Sequence, residues 1–354
     1  MILLRKIMGY IMQKIPVFFS FDNSYSAQCG VTLYSLLYTA HKSIFYELYI
    51  ISDDISEENK KKLQEITDSF NNCALHIFSL KDRIQIDFHE KFTRKIGDLV
   101  LTREGLYRCI AMLIDEFNQY DKIIYSDVDI VVMRDISALY DIELDNETYL
   151  AAFRHPKFME NLITHIPEKI RENYFGVGLL VMNLKKMRED NFAEKVLNII
   201  NDKSLILTWN EQDILNIACD GHYKTFSYEY VSIPTWKSYL KQKNYYDEYY
   251  PNGELEDAMM RPAIVHYAGQ KPWVAHNPPI PQHDLWFYYL KKTPFKDDYK
   301  KEEENVKKIE NLYTIKLFSF IPVGKMKING AVNNKIYIKI FKFLRILKLE
   351  AVEK

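Results

Sequence analysis

The chain of 354 residues lacks an excess of charge of either sign, because 47 lysine and arginine residues are matched by 48 aspartate and glutamate residues. Such a balance provides no overall attraction for nucleic acid, and we predict no nucleic-acid partner. Hydrophobic residues make up 47% of the chain. This proportion is typical of a globular protein, and the length allows one large core or two unequal domains.

Cysteine is scarce, and a long apolar run is missing near the start of the chain. The four cysteines, Cys29, Cys73, Cys109 and Cys219, form no Cys-x-x-Cys pair and have no adjacent histidine at zinc-ligand spacing. They predict reduced thiols and a cytoplasmic protein. Residues 1–15 mix apolar with basic side chains and have no small-residue cleavage site, so we predict neither a signal peptide nor a membrane span there.

Apolar stretches and helical patterns alternate along the first half of the chain. Residues 15–20, 48–52 and 75–78 are predicted strands, and apolar side chains at helical spacing follow the first two of them. A predicted helix around residues 106–113 leads to a further strand that begins at Lys122. This alternation predicts an α/β fold with a Rossmann-like, mostly parallel sheet flanked by helices.

The strand that begins at Lys122 is the most informative segment, because Asp127 and Asp129 interrupt its apolar run. Alternate residues of an extended strand point to the same side, so we expect both carboxylates on one face at the carboxyl end of the strand. Two hard oxygen ligands suit Mn²⁺ or Mg²⁺, and phosphate oxygens can complete the coordination. The alternative is a solvated strand end, since Asp-x-Asp is a short pattern.

Four further segments surround this acidic pair in a characteristic order along the chain. They are residues 19–25 (FSFDNSY), 104–108 (EGLYR), 210–216 (NEQDILN) and 266–273 (HYAGQKPW). Together with Asp127-Val128-Asp129 they resemble the motifs of glycosyltransferase family 8, which includes bacterial lipopolysaccharide galactosyl- and glucosyltransferases and the glycogenins. The resemblance runs from about residue 15 to residue 273, and the ordered set is far more specific than any single pattern.

The resemblance implies a GT-A fold and a retaining enzyme that uses a UDP-sugar and Mn²⁺, with Mg²⁺ as the other possible metal. We expect a catalytic domain over residues 1–295, with a nucleotide-binding half over about 15–135 and a half for sugar and acceptor over about 136–295. The expected reaction transfers glucose or galactose to an oligosaccharide or lipid-linked glycan of lipopolysaccharide or capsule. The acceptor pocket is expected to include the loop 239–252, whose tyrosines either stack on sugar or cover the core.

The resemblance also implies which residues bind the metal. Asp127, Asp129 and His266 would be its protein ligands, and two carboxylates with one imidazole suit Mn²⁺. The alternative for His266 is a structural role after an apolar strand.

Donor contacts are expected from residues on both sides of the metal ligands. Val128 lies between the two aspartates, Arg108 and Lys271 offer positive charge, and Gly269 allows close backbone approach to a diphosphate. The alternative for Arg108 is a helix-surface ion pair with Asp115 or Glu104.

Base recognition and chemistry are assigned to two other segments. Asp22 would accept a hydrogen bond from the uracil ring and Tyr25 would stack on it, although an Asx-turn explains Asp22 equally well. Gln212 is expected at the reacting carbon, where its carbonyl stabilises developing positive charge, and Asp213 is the reserve candidate for a carboxylate nucleophile. Glu211 would meet hydroxyl groups of the donor sugar.

One segment departs from the family pattern. Members usually have Phe-Asn-Ala-Gly where this chain has Phe175-Gly176-Val177-Gly178, so an asparagine that contributes to the donor-sugar pocket is replaced by Gly176. This loss supports the main functional alternative, a UDP-sugar-binding subunit or scaffold with reduced catalysis. A third hypothesis is a metal-dependent nucleotidyltransferase or sugar-nucleotide hydrolase.

The end of the chain is basic. The run 296–308 is predicted to be a solvated connector or an exposed helix, and it leads into a tail in which lysines alternate with aliphatic and aromatic residues. Basic residues three or four apart over 335–348 predict an amphipathic helix. We expect this tail either to bind an anionic surface at the inner face of the cytoplasmic membrane or to pack as a C-terminal helix with solvated lysines.

Overall fold

The computed structural model describes residues 12–84, 95–96, 99–100, 103–155, 163–234, 253–275, 280, 282–312, 331–332, 335–338 and 347–350. The strands are β1 (Gln13–Ser20), β2 (Ile44–Ile51), β3 (Cys73–Phe78), β4 (Lys95–Ile96), β5 (Leu99–Val100), β6 (Lys122–Ser126), β7 (Ile130–Val132), β8 (Leu150–Ala152), β9 (Leu179–Asn183), β10 (Tyr223–Thr225), β11 (Ile264–His266), β12 (Ala331–Val332), β13 (Lys335–Ile338) and β14 (Leu347–Glu350). The α-helices are α1 (Ser26–Thr39), α2 (Glu57–Asp68), α3 (Glu168–Arg171), α4 (Leu184–Glu189), α5 (Phe192–Asn201), α6 (Asn210–Cys219), α7 (Glu254–Met260), α8 (His283–Leu290) and α9 (Lys300–Leu312). The predicted acceptor loop 239–252 lies outside the described residues.

The main sheet has seven strands in the order β10-β8-β9-β6-β1-β2-β3. Strand β9 is antiparallel to β6 and β8, and the other neighbouring pairs are parallel. The prediction of a mostly parallel sheet is therefore confirmed. Residues 15–20 of β1 are all buried. This burial explains the continuous apolar run in the sequence, because a strand covered on both faces does not alternate between apolar and polar residues.

Helices cover both faces of the sheet. Ile15, Val17 and Phe19 of β1 belong to one hydrophobic core with side chains of α1 and α2. Phe18 belongs to a second core with side chains of α5, α6 and the segment Arg103–Leu113. Successive residues of a strand point to opposite faces, so one strand contributes to both cores. The result is a layer of sheet between two layers of helices, as predicted.

The segment Arg103–Leu113 forms a 3₁₀ helix with a kink at Ile110, whose φ and ψ are −121° and 19°. The helix predicted around residues 106–113 is therefore present, as a kinked 3₁₀ helix. Eight of its residues are buried, from Glu104 to Met112. A segment enclosed on so many sides takes its backbone shape from its packing contacts more than from intrinsic helix propensity.

A small second sheet is formed by β7 and β11, which pair antiparallel with His266 opposite Ile130. Helix α1 holds this sheet through two buried hydroxyl groups. The Thr32 hydroxyl lies 2.7 Å from the carbonyl oxygen of Val128 and 3.0 Å from that of Ile130, to which it donates. Ser35 Oγ accepts a hydrogen bond from the backbone nitrogen of Val132 at 3.0 Å. Residues 127–132 are thereby fixed against α1.

The C-terminal tail differs from its prediction. Its described residues form three short antiparallel strands in the order β12-β13-β14, so the amphipathic helix predicted over 335–348 is wrong for residues 335–338 and 347–348, while the rest of that range lies outside the described residues. The run Ile336-Tyr337-Ile338 is β-branched and aromatic, which favours strand over helix. The preceding charged run contains α9, in agreement with the expected exposed helix. Among the described residues, no helix has the length and apolar character needed to cross a membrane.

Replacing Thr32 with valine keeps the shape of the side chain but removes the donor to two buried carbonyl groups. We expect the free energy of unfolding, measured by urea denaturation, to fall by about 1–3 kcal/mol. Thr39→Val is the matched control, because the Thr39 hydroxyl donates only to carbonyl groups of its own helix, those of Ser35 and Leu36. Equal losses for the two variants would contradict the anchoring role of Thr32.

Candidate active site

A cavity of about 300 Å³ opens at the carboxyl ends of β1 and β6. In the sheet, β2 lies on one side of β1 and β6 on the other, so the strand order reverses direction at this point. Open α/β sheets bind ligands at such a switch point, and this volume is within the range of small-molecule sites. All but one of the predicted site residues line the cavity: Asp22, Tyr25, Arg108, Asp127, Val128, Asp129, Glu211, Gln212, His266, Gly269 and Lys271. The exception is Asp213.

Asp127, Asp129 and His266 form a cluster whose possible ligand atoms all lie within 4.8 Å of one another. His266 Nε2 is 3.2 Å from Asp129 Oδ1 and 3.7 Å from Asp127 Oδ2. Two carboxylates and an imidazole at these separations form a donor set that suits a divalent cation.

The two aspartates converge through a bend. Residues 127–129 connect β6 to β7, which belong to different sheets, so the expectation that both carboxylates lie on one extended strand is wrong in its geometry. Backbone hydrogen bonds hold the bend, because Asp127 N donates to the Gly178 carbonyl at 2.8 Å and Tyr267 N donates to that of Asp129 at 2.9 Å. Pairing of β7 with β11 therefore brings His266 beside the acidic pair.

Asp129 is buried and strongly influenced by its neighbours. Burial by itself raises the pKa of this carboxyl group, but the charges of Lys271 and His266 outweigh it and hold the pKa far below its usual value. Lys271 Nζ contacts Asp129 Oδ2 directly. In the described part of the chain, Asp129 Oδ1 is buried and accepts no hydrogen bond of good geometry, although His266 Nε2 lies 3.2 Å from it, and His266 Nδ1 is buried without a hydrogen-bond partner. A buried carboxylate oxygen with unused acceptor capacity beside the cluster fits a metal ion bound there.

Arg108 neutralises the other aspartate. Its Nη1 lies 2.9 Å from Asp127 Oδ1 and donates to the Val177 carbonyl at 3.1 Å, while the guanidinium lies 4.3 Å from the centre of the Tyr125 ring. Burial is the largest influence on the pKa of Arg108 and lowers it, but the combined effect of nearby groups, led by the carboxylate of Asp127, raises this pKa above its usual value, so the guanidinium remains charged. The alternative of a helix-surface ion pair with Asp115 or Glu104 is wrong, because Arg108 is buried and forms its ion pair with Asp127.

At the end of β1, Asp22 begins the short 3₁₀ helix Asn23–Tyr25 and accepts a hydrogen bond from Ser24 N at 2.8 Å. The Asx-turn alternative for Asp22 therefore describes its local geometry, and Asp22 also lines the cavity. Tyr25 packs edge-on against Trp273 at 6.3 Å. Asn23 faces away from the cavity, since its Oδ1 accepts hydrogen bonds from Ser56 N and Asn59 Nδ2.

Helix α6 presents Glu211 and Gln212 to the cavity at its first turn, but Asp213 is fully buried. The Asp213 carboxylate accepts hydrogen bonds from Tyr174, from His165 at 3.0 Å, and from the backbone nitrogens of Thr208 at 2.7 Å and Trp209 at 2.9 Å. Successive helical residues differ by about 100° around the axis, so Gln212 and Asp213 face different surroundings. The structure does not bring Asp213 to the reacting centre, and its geometry is that of an anchor for the helix.

Nine cavity residues lie outside the predicted set, and three of them bear on the site: Phe153, His155 and Gly178. A Cβ atom on Gly178 would lie 2.4 Å from His266 Cε1 and 2.9 Å from Asp127 Oδ2, so only glycine allows the two ligands to approach. Phe153 and His155 directly follow β8. Their position after a strand is the signal that could have identified them, because ligands bind at the carboxyl ends of strands. The sequence analysis missed them because β8 has only three residues and gives a weak strand pattern.

Comparison with known proteins assigns the chain to a family. The family model described as Glycosyl transferase family 8 matches residues 16–277. The chain belongs to this family. It is 28% identical over 289 residues to General stress protein A of Bacillus subtilis (strain 168), covering 77% of this chain and 91% of that protein. It is 24% identical to a lipopolysaccharide 1,2-glucosyltransferase of Escherichia coli (strain K12), with 84% of each chain covered.

Solved structures show the fold of this family 8 glycosyltransferase. The bifunctional glycosyltransferase WbbM superposes with a TM-score of 0.65 at 22% identity, covering 82% of this chain and 51% of that one. The galactosyltransferase LgtC, solved with donor and acceptor sugar analogs, has a TM-score of 0.62 at 20% identity, covering 81% of this chain and 100% of that one. The GT-A fold expected from the sequence is confirmed.

Gly178→Ala should separate metal binding from folding, because its methyl group overlaps His266 and Asp127. We expect Mn²⁺ to raise the melting temperature of the wild type but not of Gly178→Ala, measured by thermal denaturation with and without the ion. Gly105→Ala is the control, since Gly105 also lines the cavity and a Cβ there meets nothing within 4 Å. A full Mn²⁺ response in Gly178→Ala would rule out this metal site.

Proposed function

We propose that the protein is a retaining glycosyltransferase that moves glucose or galactose from a UDP-sugar to a glycan acceptor of lipopolysaccharide or capsule. The observation that carries this proposal is the convergence of Asp127, Asp129, His266 and Gln212 on one cavity. The proposal includes a catalytic domain over residues 1–295, with its nucleotide half before about residue 135. The named activities of the E. coli relative and of LgtC support transfer of a hexose.

Metal binding is assigned to Asp127, Asp129 and His266, with Mn²⁺ as the proposed ion and Mg²⁺ as its alternative. Such an ion supplies positive charge to a departing diphosphate. Lys271 adds a second positive charge in the cavity, while Arg108 is committed to Asp127 and keeps that carboxylate in place. Gly269 has a φ of +82°, so its backbone takes a conformation that favours glycine where the diphosphate would lie.

At the nucleotide end, we assign contacts with uracil to Asp22 and Tyr25, with Val128 completing the wall. Glu211 is assigned to hydroxyl groups of the donor sugar. Burial raises the pKa of Glu211, although the charge of Arg108 opposes that rise. A carboxyl group with a raised pKa retains its proton to a higher pH and can then donate a hydrogen bond to a sugar oxygen.

Gln212 is the group proposed to stabilise positive charge at the anomeric carbon through its side-chain carbonyl. An amide is a weak nucleophile, and the carboxylate of Asp213 is occupied by four hydrogen bonds away from the cavity. These facts favour front-face return, in which the leaving diphosphate oxygen helps to deprotonate the acceptor hydroxyl and the configuration is retained.

Gln212→Ala tests the proposed chemistry. We expect kcat for UDP release in the presence of Mn²⁺, a UDP-hexose and a lipopolysaccharide acceptor to fall by about 10²–10³-fold, the range seen when one donor to a developing charge is removed. UDP affinity should be unchanged, because Gln212 is not assigned to the nucleotide. Gln64→Ala, on the exposed face of α2, is the control.

The same assay tests the alternative functions. UDP-sugar binding by the wild type without UDP release, even with acceptor present, would favour a scaffold. Free sugar formed without any acceptor requirement would favour a hydrolase, and pyrophosphate release would favour a nucleotidyltransferase. The reaction product with acceptor, analysed for anomeric configuration, tests retention.

We further propose that the protein is cytoplasmic and that the basic tail attracts it to the inner face of the cytoplasmic membrane. The lysine content of residues 325–348 supports this proposal, because basic residues are attracted to anionic lipid whether or not they lie on a helix.

Deleting residues 315–354 should therefore weaken sedimentation with vesicles that contain anionic lipid, and high salt should weaken sedimentation of the full chain, because electrostatic attraction is screened. Hydrolysis of the donor should be retained, which serves as the control for folding. Sedimentation that does not depend on the tail would contradict this localisation.

A further inference from the structure

One wall of the cavity is formed where the ends of β8 and β9 are joined by backbone pairing. Gly176 N donates to the Phe153 carbonyl at 3.0 Å, and His155 N donates to the Tyr174 carbonyl at 2.9 Å. This antiparallel pairing places Gly176 beside Phe153 and His155, and the latter two line the cavity. The position at which the sequence departs from the family pattern, Gly176, therefore lies directly beside two residues of the cavity wall.

The space that a side chain at position 176 would need is already filled. A Cβ atom there would lie 2.1 Å from two carbons of the Phe153 ring and 3.1 Å from His155 Nε2. The Phe153 ring is buried and packs edge-on against the His155 ring at 4.8 Å. Position 176 is thus restricted to glycine by its neighbours.

The polar group in this wall is the imidazole of His155. Its Nε2 lies 3.3 Å from Gln212 Oε1, so it contacts the residue assigned to the reacting carbon. Burial lowers the pKa of His155 to about 4, which keeps the ring neutral near pH 7. A neutral imidazole has one nitrogen that donates and one that accepts, so the ring can orient the Gln212 amide and also hydrogen-bond a sugar hydroxyl.

We propose that His155 recognises the hexose of the donor and orients Gln212, and that it replaces the contact which a side chain at position 176 would make. This inference rests on the proposed transferase function. Phe153 holds the imidazole against Gln212 and excludes water from that side of the sugar. The loss of a polar side chain at Gly176 is then a rearrangement of the sugar site and not evidence for lost turnover.

Variants of His155 separate sugar recognition from nucleotide binding. His155→Leu removes both polar nitrogens, whereas His155→Gln keeps a polar atom near the position of Nε2. We expect calorimetry with Mn²⁺ to show at least tenfold weaker binding of the preferred UDP-hexose to His155→Leu, with UDP affinity changed less than twofold. His155→Gln should recover most of the loss. His41→Leu, on the exposed surface, is the control.

Catalysis provides a second readout of the same variants. If the hydroxyl that His155 binds is one by which the two sugars differ, the ratio of kcat/KM for UDP-glucose to that for UDP-galactose should approach one in His155→Leu, and in either case kcat/KM for the preferred UDP-hexose should fall, since the hydrogen bond from His155 to the hexose is lost. Unchanged binding and selectivity in His155→Leu, or equal losses for UDP and UDP-hexose, would overturn the inference. A wild type that binds neither UDP nor a UDP-hexose would instead refute the proposed function on which it rests.

The steric restriction at position 176 can be tested without a ligand. Gly176→Ala should lower the melting temperature of the protein, because its methyl group overlaps the Phe153 ring. The double variant Gly176→Ala, Phe153→Ala should lower the melting temperature by less than the sum of the two single decreases, since the smaller side chain at position 153 makes room for the methyl group. An unchanged melting temperature for Gly176→Ala would show that position 176 is free to carry a side chain, against the inference.

Discussion

Two carboxylates held side by side in a largely buried cavity are the constraint on which the rest of this structure depends. Asp127 and Asp129 repel each other and lose hydration, so each needs positive charge nearby. Arg108 supplies it to the first and Lys271 to the second, while His266 lies next to both. These partners come from distant parts of the chain. The pairing of β7 with β11 and the packing of α1 on the connecting bend serve to bring them together.

The sequence predicted much of this arrangement because the relevant groups belong to short patterns with recognisable chemistry. Asp127, Asp129, His266 and Gln212 each lie at the end of a strand or in the first turn of a helix that is visible in the apolar pattern, and an α/β sheet gathers such positions at one edge. The bend at residues 127–129 was not predictable, because apolar residues continue on both sides of it. It arises from pairing with β11, which is remote in sequence, so no local pattern marks it.

Differences between the predicted and the observed elements have a common physical cause. Arg103–Leu113 is a kinked 3₁₀ helix because it is buried on many sides, and β13 is a strand although Lys335 begins a run of basic residues at helical spacing. In both cases the spacing of residue types along the sequence is compatible with more than one kind of secondary structure, and the packing around the segment determines which kind forms. His155 was missed for a related reason. Its position depends on the pairing of the ends of β8 and β9 and on the space left by Gly176, which is a relation between two segments.

Neighbouring residues at the start of α6 show how the fold divides anchoring from chemistry. The buried carboxylate of Asp213 accepts several hydrogen bonds and fixes the first turn of the helix. Gln212 faces the cavity, and its side-chain carbonyl contacts the imidazole of His155. Were the carboxylate to point into the cavity instead, it would add a further negative charge to those of Asp127 and Asp129 and leave buried donors unsatisfied. A neutral amide avoids this repulsion and still offers a carbonyl oxygen to a developing positive charge. The concentration of negative charge at the metal site therefore favours an uncharged group opposite it.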